Sequence, residues 1–163
     1  YASRLALADG VPAGDRARLP PYEPHPVAGD PAEYPLYLNL YRPLALLDGG
    51  ANQPQLQEIL GPHVFEEWDS WAEMNPATAA RHGLADGERV FVESPAGRVA
   101  VRLRWFAGAM PDSLNMPLGQ GHGAGGRWAA GRGADPRRLC VPAPESARRL
   151  GAPPATRVKV YRA

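Results

Sequence analysis

The sequence has one cysteine, no long apolar run and almost no net charge, and each shortage excludes a class of protein. Cys140, being alone, cannot form a disulfide within the chain, an iron–sulfur cluster or a thiolate zinc site. We expect it to be a small, half-buried apolar residue. No apolar run reaches membrane-spanning length, and the first residues lack the regions of a signal peptide. A balance of 18 basic and 17 acidic residues does not suggest a nucleic-acid partner.

Glycine and proline are abundant instead. The chain has 18 glycines and 19 prolines among its 163 residues, yet 44% of it is apolar. This combination argues against disorder and favours one loop-rich, mainly β domain. Residues 1–33 are predicted to form an extended, proline-rich arm or linker, which suggests a preceding domain. Residues 34–163 are predicted to form the folded domain.

Alternation of apolar and polar residues predicts six or so short strands, together with two or three short helices. One helix is expected from about Pro54 to Leu60. A second should be capped by Asn75 and should end at Gly83. A third could run from Glu145 to Leu150. The strands are expected in the segments YPLYLNLY, ERVFVES, RVAVRLRWF, DSLNMPL, LCVPA and ATRVKVYR. This inventory is typical of a small β-barrel rather than of βαβ units.

The predicted strand RVAVRLRWF has two different faces. Val99, Val101, Leu103 and Trp105 fall on one face. The other face carries Arg98, Ala100, Arg102 and Arg104, which are expected to point to water or to a partner.

The stretch NMPLGQGHGAGGRWAAGRG, residues 115–133, is the densest glycine segment in the chain. It satisfies G-x-G-x-x-G, but the residues after it cannot continue as the helix that a dinucleotide fingerprint needs. It also lacks the Gly-Lys-Ser/Thr of a P-loop. Two readings stay open: a nest of backbone N–H groups and arginines for an anionic ligand, or a barrel crossover with solvated arginines.

The remaining polar residues do not predict catalysis. His25, His63 and His82 are expected at the surface or at helix ends, whereas His122 could bond a ligand or brace its loop. The acidic residues Glu66, Glu67, Asp69 and Glu73 alternate with Trp68 and Trp71, and are expected to form a solvated face with two packing indoles. No Ser/His/Asp or Cys/His arrangement occurs, so no catalytic residue is predicted.

Two long segments carry a family resemblance. They are WAEMNPATAARHGLADGERVFVESPAGRVAVRL and GAMPDSLNMPLGQGHGAGGRWAAGRGADPRRL. The most specific parts are Asn-Pro-x-x-Ala, Gly-Leu-x-Asp-Gly, Ser-Pro-x-Gly and Pro-Leu-Gly-Gln-Gly-His, in that order. From about Tyr34 onward the chain resembles the C-terminal domain of large molybdopterin oxidoreductase subunits. It is most similar to the polysulfide-, thiosulfate- and tetrathionate-reductase branch, which the B subunit of alternative complex III also resembles.

The resemblance implies a six-stranded double-psi β-barrel that caps a bis-(molybdopterin guanine dinucleotide) cofactor carrying molybdenum or tungsten. The loop matching Gly119 to Trp128 would face the pterin and phosphate portions of that cofactor. No metal ligand is expected in this chain. The cofactor-binding residues carried over from the family are Tyr41, Arg42, Asn75, Gln120, Gly121, His122 and Arg127.

The resemblance also implies partners and a location. The expected partners are the remaining domains of the molybdopterin subunit, an iron–sulfur electron-transfer subunit and a quinone-interacting membrane subunit. The expected location is the periplasmic, outer face of the cytoplasmic membrane. Because the family's catalytic domains are absent, the chain is expected to be one part of an oxidoreductase.

Two alternatives remain beside the capping role. The first is a cofactor-free structural module of a membrane-bound, quinol-oxidising complex, since alternative complex III keeps the barrel without molybdenum. The second is a peptide-recognition domain of the same fold, against which Gly-Gln-Gly-His argues. A related self-cleaving decarboxylase is excluded, because the sequence contains no Gly-Ser pair.

Overall fold

A computed structural model describes residues 26–59, 65–124, 126–142 and 155–163. Most of the predicted arm, His25, His63 and the predicted helix Glu145 to Leu150 lie outside these residues. Within the described ranges, no helix is both long enough and apolar enough to cross a lipid bilayer.

Six strands close into a barrel within the described part of the chain. The barrel strands are β2 (Leu36–Tyr41), β3 (Trp71–Met74), β4 (Arg89–Ser94), β5 (Gly97–Trp105), β6 (Ser113–Pro117) and β7 (Ala155–Arg162). Around the barrel their order is β7, β2, β6, β3, β5 and β4, after which β4 pairs with β7. The pairs β2–β6 and β3–β5 are parallel and the other four are antiparallel. The double-psi β-barrel prediction is therefore confirmed. A two-residue strand β1 (Val27–Ala28) adds to β7.

The barrel core is filled by the inward residues of each strand. Residues that alternate along β4, β5 and β7, such as Val90, Val101 and Val158, are fully buried. This alternation is the reason the strands were predictable from the sequence. A smaller apolar cluster lies outside the barrel, where Leu46, Ala51 and Ala129 pack with the buried indole of Trp71.

Two α-helices are described, α1 (Pro54–Gln57) and α2 (Pro76–Arg81). The predicted cap of α2 is confirmed, since the Asn75 side chain accepts a hydrogen bond from Ala77 N at 3.0 Å. Gly83 follows the helix with φ +65°, as expected for a left-handed helix end. Helix α1 follows the predicted start at Pro54, and Leu60 lies outside the described residues. Two 3₁₀ segments, Leu44–Asn52 and Pro136–Leu139, complete the described helical elements.

The structure differs from the sequence predictions at one predicted strand and at one strand that was not predicted. Within the predicted strand LCVPA, the described residues 139–142 do not form a strand, because Leu139 ends a 3₁₀ turn whose first residue is Pro136. Strand β3, by contrast, was not predicted: its four residues are all buried, so they do not alternate. The outer face of β5 carries Arg102 and Arg104 as predicted, and both pair with Glu66.

Candidate functional site

Two pockets that contain polar side chains lie outside the barrel core, toward opposite ends of β5. The strand pocket has a volume of about 400 Å³. The glycine-loop pocket has a volume of about 360 Å³. The strand pocket is lined by Asn39, Tyr41, Arg42, Pro43, Leu44, Phe65, Glu73, Phe106 and Asn115. The glycine-loop pocket is lined by Arg98, Val99, Ala100, Gly121, His122, Gly123, Gly131, Gly133, Ala134, Asp135 and Arg138.

A row of three polar side chains forms the strand pocket. Strand register places Asn39 of β2 beside Asn115 of β6, and Asn115 beside Glu73 of β3. All three therefore lie on the outer face of the barrel, opposite the apolar core. The Asn39 amide donates to Asn115 Oδ1 at 3.1 Å, and Asn115 Nδ2 lies 3.5 Å from Glu73 Oε2. The donors in this row therefore point toward the carboxylate.

Glu73 is the most buried acidic group of this pocket, with 4% exposure. A buried carboxylate is costly unless donors surround it. Here the Tyr41 hydroxyl and the Trp71 indole both donate to Oε1, the indole at 3.0 Å. Burial, and then the hydrogen bond to Glu73, raise the pKa of Tyr41 far above the ordinary tyrosine value. Tyr41 therefore stays a neutral donor at physiological pH.

Aromatic rings form the apolar part of the strand pocket. The Phe65 and Phe106 ring centroids are 6.4 Å apart, and Phe65 also meets the Trp71 indole edge-on at 6.1 Å. Phe106 is 40% exposed. An exposed ring beside a hydrogen-bonding row is an arrangement that suits a flat, polar ligand.

The glycine-loop pocket is lined by basic side chains and by glycine backbone. Arg98, Arg138 and His122 line it, and Gly123 has no neighbouring atom within 4 Å of the place where a Cβ would lie. Burial alone would raise the pKa of Asp135, but the hydrogen bonds and charge of Arg137 outweigh it and hold that pKa below its usual range. The acid is thus compensated locally, and the other charged groups of the pocket are cationic.

Side chains from the first half of the chain hold the glycine loop in place. Asn52 Oδ1 accepts from the backbone N–H groups of Trp128 and Ala129, at 2.9 and 3.2 Å. Gln57 and Gln120 exchange two amide hydrogen bonds, at 2.6 and 3.2 Å. These contacts fix the loop against the segment formed by the first 3₁₀ turn and α1.

The seven predicted binding residues do not form one cluster. Tyr41 and Arg42 line the strand pocket, whereas Gly121 and His122 line the glycine-loop pocket. The remaining three are Asn75, which caps α2 and donates to Ala109 O, Gln120, which is buried with Gln57, and Arg127, which lies 4.8 Å from the Trp128 ring centroid. Their binding roles stay predictions.

Sequence reasoning missed the polar row. Glu73 was expected on a solvated face, and that expectation was wrong. Its side chain is buried and accepts hydrogen bonds from Tyr41 and Trp71. A usable signal existed in the two asparagines, since Leu-Asn-Leu and Leu-Asn-Met each place one amide between two apolar residues. In β-strands that pattern sets the amides on a common face when the strands pair.

A family model described as "Molydopterin dinucleotide binding domain" matches residues 58–160. The match covers both pockets apart from the β2 side of the strand pocket. This chain belongs to the molybdopterin dinucleotide-binding domain family. The family expectation drawn from the sequence is therefore confirmed.

Relatives of this molybdopterin dinucleotide-binding domain are much longer than the chain. It is 32% identical to the arsenate respiratory reductase molybdopterin-containing subunit ArrA of a Shewanella species, over 82% of this chain and 16% of that protein. It is 39% identical to the menaquinone reductase molybdopterin-binding-like subunit of Nitratidesulfovibrio vulgaris, over 47% of this chain and 11% of that protein.

A solved structure agrees on the fold of this molybdopterin dinucleotide-binding domain. Acetylene hydratase from Pelobacter acetylenicus superposes with a TM-score of 0.62 over 88% of this chain and 21% of its own, at 20% identity. The similarity at that identity concerns the fold alone.

The lining of the glycine-loop pocket fits the phosphate part of the family's cofactor. Guanidinium groups bind phosphate through paired N–H donors, and loop amides in a nest add further donors. Arg98 and Arg138 supply the former, and the open backbone around Gly123 provides room for a ligand to approach. Burial raises the pKa of the Cys140 thiol, which disfavours the reactive thiolate form.

Proposed function

We propose that this chain is the cofactor-capping domain of a molybdopterin-dependent oxidoreductase, and that it binds the guanine dinucleotide form of the cofactor. The observation that carries the proposal is the glycine-loop pocket, which is lined by Arg98, Arg138 and His122 together with glycine backbone. When bound, the cofactor would supply the metal-centred oxidation–reduction chemistry.

The residues of this chain would bind and orient the cofactor rather than react. Arg98 and Arg138 would hold phosphate oxygens, and the backbone near Gly121 and Gly123 would approach them closely. Asn52 and Gln57 would keep the loop in place while it does so. The barrel beneath would limit access of water to that side of the cofactor.

The test is to replace Arg98 and Arg138 by alanine together in the full-length protein that carries this domain, purified from its native source. Molybdenum, tungsten and released pterin are then measured per polypeptide. We expect at least a tenfold loss of cofactor, because two charge-assisted contacts are removed. Arg162→Ala is the matched control, since Arg162 is an exposed arginine paired with Glu88. Full cofactor content in the double variant would contradict the proposal.

Gly121 is a poor residue for this test. A Cβ there would lie 2.0 Å from Asp135 N and 2.3 Å from Ala134 C. A larger residue would therefore displace the loop whether or not a ligand binds, and cofactor loss would not be informative.

A second candidate is a cofactor-free structural module of a quinol-oxidising complex. It is favoured by the similarity to the menaquinone reductase subunit, which is named a molybdopterin-binding-like subunit. The packing of the loop also favours it. A Cβ at Gly121 or at Gly126 would clash with other atoms of this chain, so packing within the chain accounts for both glycines. Purified protein from the native source that holds iron but neither molybdenum, tungsten nor pterin would favour this candidate over the first.

We also propose that the domain works beside an iron–sulfur subunit and a quinone-interacting membrane subunit, on the periplasmic face of the cytoplasmic membrane. The support is the resemblance together with the word menaquinone in the relative's name. Affinity purification from detergent-solubilised membranes should recover both subunits with the full-length protein. Recovery of the protein alone from the cytoplasmic fraction would contradict this part.

A further inference from the structure

Arg98, which lines the glycine-loop pocket, contacts two aromatic rings on the outer face of the barrel. Its guanidinium carbon lies 4.4 Å from the centroid of the Phe91 ring, and its Nη1 donates to the Tyr161 hydroxyl oxygen at 3.4 Å. The Phe91 and Tyr161 rings also meet each other, with centroids 5.7 Å apart. An exposed arginine normally samples many rotamers, so these contacts restrict where the Arg98 guanidinium lies.

Strand register brings these side chains together. Glu93 of β4 lies opposite both Arg98 of β5 and Lys159 of β7, and Phe91 of β4 lies opposite Tyr161 of β7. The residues that alternate with them along each strand are buried in the barrel core, so all five side chains lie on the outer face. Neighbours across paired strands interact directly. The closed barrel therefore fixes the surroundings of Arg98.

The hydrogen bonds around Tyr161 have a defined direction. Its hydroxyl donates to Glu93 Oε2, so the Tyr161 oxygen is left to accept from Arg98. Lys159 Nζ pairs with Glu93 Oε1 at 3.1 Å. The hydrogen bond from Tyr161, and then the one from Lys159, lower the pKa of Glu93. Glu93 is therefore an ionised acceptor at neutral pH, and it keeps the lone pairs of Tyr161 available to Arg98.

Arg98 keeps donors for a ligand while it is held in this way. A guanidinium carries several N–H groups. Among the described residues, its one side-chain hydrogen bond is the bond to Tyr161, which uses Nη1. Its other N–H groups can meet phosphate oxygens in the pocket. A donor that is already ordered loses less freedom on binding, so its contact with an anion is stronger.

We propose that Tyr161 and Phe91 are positioning residues, which hold the Arg98 guanidinium ready to bind a pyrophosphate group in the glycine-loop pocket. Glu93 orients the Tyr161 hydroxyl for this purpose. None of these three residues lines the pocket itself, so their effect on a ligand would pass through Arg98. This inference rests on the proposed function, because the pocket concerned is the one that would bind the phosphate groups of the cofactor.

The test is a double-mutant cycle between Tyr161 and Arg98. Inorganic pyrophosphate is titrated by calorimetry into the full chain, Tyr161→Phe, Arg98→Ala and the double variant. Arg98→Ala should weaken binding about tenfold, because a charge-assisted contact is lost. Tyr161→Phe should weaken binding about threefold, since the guanidinium then has to be ordered when the ligand binds. In the Arg98→Ala background, Tyr161→Phe should have no further effect.

Two further variants complete the design. Phe91→Leu removes the ring beside the guanidinium, keeps an apolar side chain and should weaken binding by a similar factor, again only when Arg98 is present. Tyr37→Phe is the matched control, because Tyr37 is a strand tyrosine whose hydroxyl also accepts from an arginine, Arg157, outside this pocket. It should leave the affinity for pyrophosphate unchanged. Each of these three changes, Tyr161→Phe included, leaves the net charge of the chain unaltered, so a loss of affinity would not come from a weaker electrostatic field.

The cycle separates positioning from a general structural role. A loss from Tyr161→Phe that disappears in the Arg98→Ala background supports the inference. An equal loss in both backgrounds, no loss from either Tyr161→Phe or Phe91→Leu, or failure of the unchanged chain to bind pyrophosphate would overturn it. Cofactor content in the Arg98 and Arg138 double variant is measured independently, so the capping function can hold where the positioning role fails.

Discussion

The strand pocket and the glycine-loop pocket are built in opposite ways. In the first, the row Asn39, Asn115 and Glu73 stands on three adjacent strands whose register fixes it. In the second, a loop is held mainly by a few side chains from elsewhere, among them Asn52 and Gln57. The first pocket is part of the closed barrel, whereas the second depends on hydrogen bonds from a few side chains that single substitutions can remove. We therefore expect the strand pocket to keep its shape when the contacts that hold the loop are removed.

The largest expected effect on stability comes from a substitution that distorts the glycine loop and leaves the strand pocket intact. Gly121→Val should lower the free energy of unfolding by roughly 3–5 kcal/mol, because the new side chain would meet the backbone of Ala134 and Asp135. Gly123→Ala, two residues away and facing open space, should change it by less than about 1 kcal/mol. Urea denaturation of the two variants checks this. Equal stability would show that the loop moves aside freely.

A smaller effect on stability is expected from Asn52→Ala, which should loosen the glycine loop and leave the strands of the other pocket unchanged. Asn52→Ala removes the acceptor for the Trp128 and Ala129 amides and should cost about 1–2 kcal/mol. Hydrogen exchange should speed up at those amides and stay unchanged in β6. Asn52→Asp, which keeps an acceptor oxygen, should restore most of the protection. Exchange that accelerates throughout the barrel would show that the loop and the strands are one cooperative unit.

The smallest effect tests the strand pocket through pH. Because the pKa of Tyr41 is raised in the folded state, its contribution to stability is complete below the ordinary tyrosine pKa and is lost as the pH rises above it. Tyr41→Phe should therefore flatten the alkaline decline in unfolding free energy, by about 1 kcal/mol at pH 11. Denaturation series at pH 8 to 11 measure the slope. An identical slope in both proteins would contradict the placement of Tyr41 against Glu73.

The barrel was largely predictable from the sequence because its strands alternate. Strands β4, β5 and β7 place valines at every second position, and local alternation is enough to identify them. The capping of α2 was equally local, since Asn75, Pro76 and Gly83 mark its ends. Strand β3 escaped prediction because the cluster around Trp71 covers its outer face as well.

The sites were less predictable, because they depend on distant partners. Gln120 was predicted to bind the cofactor, but its side-chain amide is hydrogen-bonded to that of Gln57, which is distant in the sequence. Glu73 looked solvated because nothing nearby in the sequence indicates the Tyr41 hydroxyl. A single sequence identifies residue types that could bind a ligand. Whether such a side chain instead hydrogen-bonds another residue of the protein depends on the topology.

Strand β7 has a consequence for how the chain folds. It pairs with both β2 and β4, so the ring of strands is completed only by the segment Ala155–Arg162. During synthesis the earlier strands must wait, with edges open, until that segment leaves the ribosome. Pairings between such distant segments carry a large loop-closure entropy and fold slowly. Until then the open strand edges are prone to aggregation. The barrel therefore exposes unpaired strand edges until the segment Ala155–Arg162 is available to pair.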